Sequence, residues 1–355
     1  MNSYERVMCC LNHEPADRLP VDGSFHPEVW RMLEEHLGTT DRNAIQEALG
    51  IDFRQAGMGV AETFKARATH TRHGWRIAHP DGTVEDEWGV RVRFDRQERY
   101  YRFVYQPLAV VPLEDYTFPD LDAPGRFAPP AAGQRSPYAR ICGISNLFKG
   151  CWHLRGLDQW MMDLLADVDY AEALLDRMLA WNLELVRRLA AQGLDILGLV
   201  GDISMQQGMM ISPATWRRLF KRREALVVAE AHRLGIRHVY FHSDGNPSAI
   251  LDDLVEIGIT MLDPVQPESV DPAELRRRYG RRLTLHGTIS AQHTLPFGTP
   301  EEVRAEVLER IRTCGYDGGL VIAPNNVVQP DVPLENLLTM YATVREVGAP
   351  AFARV

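Results

Sequence analysis

The chain has 355 residues, of which 45% are hydrophobic and 25% charged, proportions that exclude a disordered or fibrous protein. Its formal net charge is −9, and because nucleic acid and anionic membranes bind clustered Lys and Arg, neither is an expected partner. The five scattered cysteines and the charged amino-terminal residues predict reduced thiols, no secretory leader and a cytoplasmic protein.

Eight short apolar segments predict the strands of a parallel sheet. They lie at 19–23, 51–57, 138–146, 194–202, 236–242, 259–264, 282–288 and 319–324. Amphipathic helices are predicted at 27–38, 152–167, 170–193, 212–235, 248–258, 271–280 and 299–315. Buried strands joined through such helices pair in parallel. The pattern favours an α/β fold of the (β/α)8 TIM-barrel type, with a doubly wound open sheet as the alternative.

The segment after the second predicted strand breaks this pattern. Residues 63–106 alternate polar and apolar side chains around a turn at 80–82, which predicts antiparallel β-hairpins. Residues 107–137 are rich in Pro, Ala and Gly and predict an ordered surface loop or lid. We therefore predict one barrel domain over residues 1–355, with a hairpin and loop insertion at about 63–137.

Polar side chains collect at the carboxyl ends of the predicted strands and in the loops that follow. Because these positions form the active-site mouth of a parallel barrel, their convergence favours an enzyme. The set comprises Asp22, His26, Asn146, Asp202, Gln206, His242, Asp244, Asn246, Asp263, Gln266, His286, Asn325, Asn326 and Gln329.

Single members of this set also have purely structural explanations. Asp202 and Asp263 can cap the helices that follow them, and His286 can be a buried, hydrogen-bonded imidazole. His242 and Asp244 are two residues apart in a loop and have the side-chain types of zinc ligands, but a zinc site requires a third protein ligand. The sequence contains no GxGxxG or GKS/GKT phosphate loop and no GxSxG nucleophile motif.

Four long segments resemble the uroporphyrinogen decarboxylase superfamily. They lie at 201–223, 241–269, 285–307 and 319–341, and the shorter segments 5–21 and 86–90 are similar to the same group. The resemblance is strongest to the corrinoid-dependent methyltransferase branch, which includes the O-demethylase methyltransferases that act on methoxylated aromatics. It implies a (β/α)8 barrel with the site at its carboxyl mouth.

Within the superfamily the motifs favour the methyltransferase branch. True decarboxylases carry an RQAGRY-type motif just after the first strand, where this chain reads PVDGSFHPEVW; its own RQAG, at 54–57, belongs to the second strand. The arginine partners of porphyrinogen carboxylates are thus missing.

The methyltransferases often bind zinc through HxC and a later Cys. Here Asp244 replaces the first Cys and Asn325-Asn326 stand where the later ligand is expected, whereas His242 and Asp244 match the HSDG form of demethylase-like members.

The resemblance implies an enzyme that moves a methyl group from a small methylated donor, expected to be a methoxylated aromatic, to a corrinoid cofactor. Because the chain lacks a corrinoid-binding DxHxxG motif, a partner protein is expected to carry the corrinoid. Zinc is a second, optional cofactor, with His242 and Asp244 as ligands and the third ligand unassigned. A homodimer is one assembly that fits the resemblance.

His242, Asp244 and His286 are the expected catalytic residues, because the leaving aryl oxygen must be protonated or polarised. The residues expected to bind substrate are Asp22, His26, Asn146, Asp202, Gln206, Gln266, Asn325, Asn326 and Gln329. Two alternatives remain open at this point. One is a metal-free decarboxylase or lyase acting on a small non-porphyrin carboxylate, and the other is a non-catalytic barrel that binds a ligand.

Overall fold

The structure, a computed structural model, describes residues 1–71, 74–95, 100–127 and 135–348. The strands are β1 (Phe53–Gln55), β2 (Thr69–Thr71), β3 (Gly74–Ala78), β4 (Val84–Glu85), β5 (Arg91–Asp95), β6 (Tyr100–Tyr105), β7 (Ala139–Ser145), β8 (Ile196–Val200), β9 (Ser204–Met205), β10 (Gly208–Met209), β11 (His238–His242), β12 (Met261–Asp263), β13 (Thr284–His286) and β14 (Leu320–Val321). The helices are α1 (Ser3–Leu11), α2 (Pro27–Leu37), α3 (Arg42–Leu49), α4 (Glu62–Lys65), α5 (Leu147–Arg155), α6 (Leu157–Ala166), α7 (Val168–Ala191), α8 (Pro213–Trp216), α9 (Arg222–Arg233), α10 (Leu251–Glu256), α11 (Pro272–Tyr279), α12 (Thr294–Phe297), α13 (Pro300–Cys314) and α14 (Leu334–Val347).

A seven-stranded parallel sheet forms the centre of the fold, in the order β1-β7-β8-β11-β12-β13-β14. This confirms the α/β class and the parallel pairing. The first predicted strand is reduced to a bridge between Val21 and Ile322. On one side of this segment, the Asp22 amide donates to the Ile322 carbonyl at 3.1 Å. On its other side, the Asp52 amide donates to the Val21 carbonyl at 3.0 Å. The segment 20–22 thus hydrogen-bonds to residues next to both edges of the sheet.

The core lies between this sheet and the helices that connect its strands. β8 is typical, since Ile196, Leu197 and Leu199 are completely buried, as expected for a parallel strand covered on both faces. Burial of each such side chain stabilises the fold by roughly 1.5–3 kcal/mol. Four of the five free cysteines are buried as well, at positions 10, 142, 151 and 314.

Two of the predicted helices are interrupted in the structure, and α1, α3 and α14 lie outside the predicted helices. The helix predicted at 152–167 is split into α5 and α6 at Gly156, whose φ of +93° ends the first helix. The helix predicted at 212–235 begins as expected, with the Ser212 side chain accepting from the Thr215 amide, but a π-helical turn at Arg217–Lys221 separates α8 from α9. Among the described residues, none of the helices is both long and apolar enough to span a membrane.

The insertion after β1 is a separate five-stranded antiparallel sheet in which β2 to β6 pair in chain order, as the alternating pattern predicts. Its first long turn contains Gly82 with φ +79°, a conformation that favours glycine. The loop that follows is anchored by Arg126, which is 3% exposed and forms a 2.7 Å ion pair with Glu87. Parts of the predicted insertion, at 72–73, 96–99 and 128–134, lie outside the described residues.

Candidate active site

Three neighbouring strands of the central sheet end in ionisable residues at the same level. His242 ends β11 and lies opposite Asp263 in the register of β11 and β12. Leu262 pairs with Leu285, which brings the next residue of β13, His286, beside Asp263. Parallel pairing therefore aligns an imidazole, a carboxylate and a second imidazole along the carboxyl edge of the sheet.

The Asp263 carboxylate joins the two histidines. Nδ1 of His242 lies 2.6 Å from one carboxylate oxygen and Nδ1 of His286 lies 2.5 Å from the other. Because an ionised carboxylate only accepts hydrogen bonds, each Nδ1 carries a proton and donates it. His286 continues the chain through Nε2, which lies 3.2 Å from the Asp22 carboxylate. This leaves Nε2 of His242 as the ring nitrogen that is free to face solvent or a ligand.

The charges of this chain stabilise each other. Burial lowers the pKa of His286, but the carboxylates of Asp263 and Asp22 outweigh it and raise that pKa to about 10. His242 behaves in the same way: burial lowers its pKa, and the nearby Asp263, Asp244 and Asp202 carboxylates raise it above the ordinary value. Burial opposes ionisation of Asp263, yet its two imidazole partners hold its pKa well below the usual range. His286 is therefore cationic and Asp263 anionic near neutral pH, and the carboxylates around His242 favour its protonated form.

A second group of ligand-type side chains surrounds the free nitrogen of His242. Ligand atoms of Asp202, His242 and Asp244 all lie within 4.8 Å of one another, and Nε2 of His242 is 4.0 Å from the Asp202 carboxylate. The Asn326 side-chain amide donates to Oδ2 of Asp244 at 2.7 Å. Oδ1 of Asp244 is buried and has no hydrogen-bond partner among the described residues. Burial and the neighbouring Asp202 carboxylate raise the pKa of Asp244 to about 6.

The histidines open into a cavity of about 190 Å³, which we call the mouth cavity. Its polar lining includes Asp22, Gln55, His242, Asp263, His286, Asn325 and Asn326. Val200, Tyr240 and Met261 contribute apolar surface. The cavity thus combines charged and amide groups with apolar surface, and electrostatic interactions in such a partly enclosed site are stronger than in water.

Other predicted substrate-binding residues support loops at this mouth. Gln266 is buried and accepts from the Gly245 amide at 2.6 Å, which fixes the turn after His242. Asn325 donates to the Glu268 carboxylate at 3.0 Å and accepts from the backbone at the start of the next loop. Their side-chain groups are already engaged in these contacts within the protein.

Four more predicted residues do not line the mouth cavity. His26 caps α2 through its ring nitrogen, and Asn146 caps α5 while donating to a backbone carbonyl. Gln206 donates to another glutamine side chain at 3.0 Å, and Gln329 donates to the carbonyl two residues before it. The structure gives each of these side chains a local hydrogen bond, and their contact with substrate stays a prediction.

Comparison with known proteins identifies the family of the chain. The family model for uroporphyrinogen decarboxylase (URO-D) matches residues 151–347, more than half of the chain. The chain belongs to the URO-D family. The matched part of this URO-D protein contains the strand ends that carry His242, Asp263 and His286.

Two methyltransferases are similar to the chain, one in sequence and one in fold. It is 26% identical over 175 residues to "Methylcobamide:CoM methyltransferase MtaA" of Methanosarcina barkeri, a match that covers 49% of this chain and 48% of that protein. The chain therefore spans about half the length of this curated relative. A solved methyltransferase from Methanosarcina mazei superposes with a TM-score of 0.71 at 18% identity, covering 98% of this chain and 99% of that one, and shows that the two share a fold.

Asp263 is central to the candidate site, although the sequence alone does not single it out. The sequence places Asp263 at a strand end, where a helix cap is an equally simple explanation, and the expected catalytic residues do not include it. In the structure it bonds to both histidines. Strand register is the signal that could have identified Asp263 from the sequence. Three neighbouring parallel strands of similar length end in His, Asp and His, respectively, so these three residues lie side by side.

Proposed function

We propose that this URO-D protein is a methyltransferase that moves a methyl group from a small methylated donor, of the methoxylated aromatic class, to a corrinoid carried by a partner protein. The observation that carries the proposal is the bonded chain from His242 through Asp263 to His286 at the mouth cavity. The likeness to MtaA supports methyl transfer as the reaction type.

The bond that breaks in such a donor joins the methyl carbon to an aryl oxygen. The methyl group would pass to the reduced corrinoid of the partner protein, which would supply the nucleophile, and the aryl oxygen would keep the bonding electron pair. That oxygen must then be protonated or polarised within the site. Nε2 of His242 can serve this task in one of two ways, as a proton donor in a metal-free site or as a ligand of a metal that polarises the oxygen. Asp263 fixes the ring through Nδ1 and leaves Nε2 at 4.0 Å from the Asp202 carboxylate.

We propose that a divalent metal, zinc by its donor set, is held by Asp202, His242 and Asp244. One imidazole and two carboxylates are common zinc ligands, and the buried, unpartnered Oδ1 of Asp244 fits a cation. The contact of Asp263 with the distal ring nitrogen of His242 is the arrangement that orients metal-bound histidines. A bound zinc ion would polarise the aryl oxygen as a Lewis acid.

We also propose that the described barrel residues form one closed (β/α)8 domain with segment 20–22 as its eighth strand. The hydrogen bonds of this segment to Ile322 on one side and Asp52 on the other support closure. In a closed barrel all the strand ends face one mouth, which accounts for the meeting of Asp22 with His286 across 264 residues of sequence.

A metal-free decarboxylase or lyase is the second candidate, and the raised pKa of His242 favours it. The carboxylates around His242 favour its protonated form, and a protonated imidazole can deliver its proton to a developing carbanion without a metal. Zinc analysis of protein purified without chelators distinguishes the candidates. About one bound zinc ion per chain supports the methyltransferase, and a metal-free protein that releases carbon dioxide from a carboxylate supports the lyase.

The proposed reaction can be tested by anaerobic incubation of the protein with Co(I) cobalamin and a panel of methoxybenzoates and methoxyphenols, with methylcobalamin as the measured product. We expect product from at least one aryl methyl ether and its loss in His242→Gln. His36→Gln is a matched control, because His36 lies in the last turn of α2 and lines neither the mouth cavity nor the carboxylate cluster. Absence of product across the panel for zinc-loaded protein would contradict the proposal.

A further inference from the structure

A second and larger cavity lies beside the mouth cavity, between the insertion and the barrel. It measures about 530 Å³, and we call it the insertion pocket. Its lining includes Met58, Trp88, Lys149, Met178, Trp181 and Asn182. Ligand pockets for drug-sized molecules commonly measure about 300–1,000 Å³. The insertion pocket falls inside that range, whereas the mouth cavity, at about 190 Å³, falls below it.

The two cavities adjoin each other. Gln55 at the end of β1 lines both. Gly143 of β7 lines the insertion pocket, and a Cβ added there would stand 3.0 Å from the Tyr240 hydroxyl and 2.5 Å from the Val200 side chain, which both line the mouth cavity. The space beside Gly143 is filled by the Val200 and Tyr240 side chains, so Gln55 is the side chain that the two cavities share. A ligand that extends past Gln55 would place a small reacting group near His242 and its larger body under the insertion.

The wall of the insertion pocket is aromatic and fixed in position. The rings of Trp88 and Trp181 are in edge contact at a centroid distance of 4.7 Å. The indole nitrogen of Trp181 donates to the Pro119 carbonyl at 2.9 Å, and the Tyr116 hydroxyl donates to the Trp88 carbonyl at 2.8 Å. Rigid indole faces and edges favour a planar ring as their partner.

Two polar groups in the pocket lack partners within the described residues. Asn182 is 1% exposed; its amide nitrogen donates to the Ser145 carbonyl at 3.0 Å, but its Oδ1 is buried and accepts from no described residue. Lys149 forms no ion pair with any described residue, whereas the carboxylates of Asp86 and Glu87 are paired with His153 and Arg126. A buried acceptor without a donor is unfavourable, so a ligand that supplies the donor is stabilised at this position.

We propose that the insertion pocket binds the body of a hydroxylated aromatic carboxylate, with the ring against Trp88 and Trp181, the carboxylate on Lys149 and a ring hydroxyl donating to Oδ1 of Asn182. The proposal rests on the proposed function in taking the methyl ether of the same molecule to lie in the mouth cavity. It names the substrate class of that site: an aryl methyl ether that also carries an acid group. Binding itself requires no methyl transfer.

The test is isothermal titration of the protein with 4-hydroxy-3-methoxybenzoate and with 2-methoxyphenol, which lacks the carboxylate. We expect Lys149→Met to weaken binding of the acid by at least ~10-fold, the effect of losing a hydrogen bond to a charged group, and to change binding of the phenol by less than about twofold. Lys149→Arg keeps the positive charge and should bind the acid with an affinity close to that of the wild type. Lys65→Met is the matched control, because Lys65 pairs with Glu62 outside the pocket and should bind the acid normally.

The outcomes separate this inference from the proposed function. Acid binding that depends on Lys149 without any methylcobalamin formation supports the pocket and counts against the methyltransferase. Methyl transfer with acid affinity unchanged in Lys149→Met overturns the pocket assignment and leaves the methyltransferase standing. Failure of the wild-type protein to bind the acid, or equal affinity for acid and phenol, also overturns it. If Lys149→Met does not fold, the comparison is made with Lys149→Gln.

Discussion

His242 and Asp263 lie opposite each other in the register of two parallel strands, and Nδ1 of the histidine donates to the aspartate at 2.6 Å. The contact fixes the tautomer and the orientation of the ring, because a carboxylate that accepts from Nδ1 leaves Nε2 as the reactive nitrogen. The backbone pairing of β11 with β12 therefore sets the direction in which the proposed catalytic imidazole can act.

Substitution of His242 should abolish activity without unfolding the protein. We expect His242→Gln to lose at least ~100-fold in kcat/KM, the low end for removal of a general acid, because an amide neither titrates near neutral pH nor binds zinc well. The melting temperature should stay within a few degrees of wild type. Parallel measurement of melting and turnover checks this, and a folded variant with near-normal turnover would remove His242 from the site.

Replacement of Asp263 should affect both histidines. In Asp263→Asn the buried imidazolium groups lose their shared counter-charge, and removal of one partner from a buried ion pair typically costs about 3–5 kcal/mol of stability. We expect the pKa of His286 to fall from about 10 toward its ordinary value, as measured by histidine NMR titration. Asp122→Asn, at an exposed surface ion pair, should change stability by less than about 0.5 kcal/mol. An unchanged His286 titration in Asp263→Asn would contradict the proposed coupling.

The contribution of His286 to stability should depend on pH in a defined direction. Its pKa is raised from 6.5 to about 10 in the folded protein, so the folded state holds the proton more tightly than the unfolded state. The stabilisation is then fully present below pH 6.5 and is lost as the pH rises toward 10. Urea denaturation of wild type and His286→Gln at pH 6 and pH 9.5 should show a stability difference that shrinks by at least about 1 kcal/mol. A difference that stays constant with pH would rule out the charged imidazole.

Zinc binding should require both carboxylates of the proposed metal site. Wild-type protein is expected to bind about one zinc ion per chain, and Asp244→Ala or Asp202→Ala to weaken that binding at least ~100-fold. Asn326→Leu removes the hydrogen bond to Asp244. This variant should bind zinc ~10-fold to ~100-fold more weakly, as is usual for loss of a residue that orients a metal ligand. Titration calorimetry with zinc measures all three, with Asp122→Ala as control. Normal zinc affinity in Asp244→Ala would exclude this site.

The sequence by itself determined the parallel α/β sheet, the antiparallel insertion and the edge at which chemistry is expected. These properties follow from local periodicity: apolar strands separated by amphipathic helices must pair in parallel, and the alternating segment with its Gly82 turn must form hairpins. The motifs that contain His242 and Asp244 also identified the family before any coordinates, because they are contiguous in the chain.

Tertiary structure decided how these residues are connected. Asp263, which the sequence places at a strand end but not among the expected catalytic residues, is the acceptor for two histidines because strand register aligns it with them. Asp22 and His286 meet from opposite ends of the chain. The insertion pocket likewise combines Trp88 from the insertion with Lys149 and Trp181 from barrel helices. Periodicity reports which face of one element is buried, whereas contacts between elements depend on register and packing, which only the folded chain fixes.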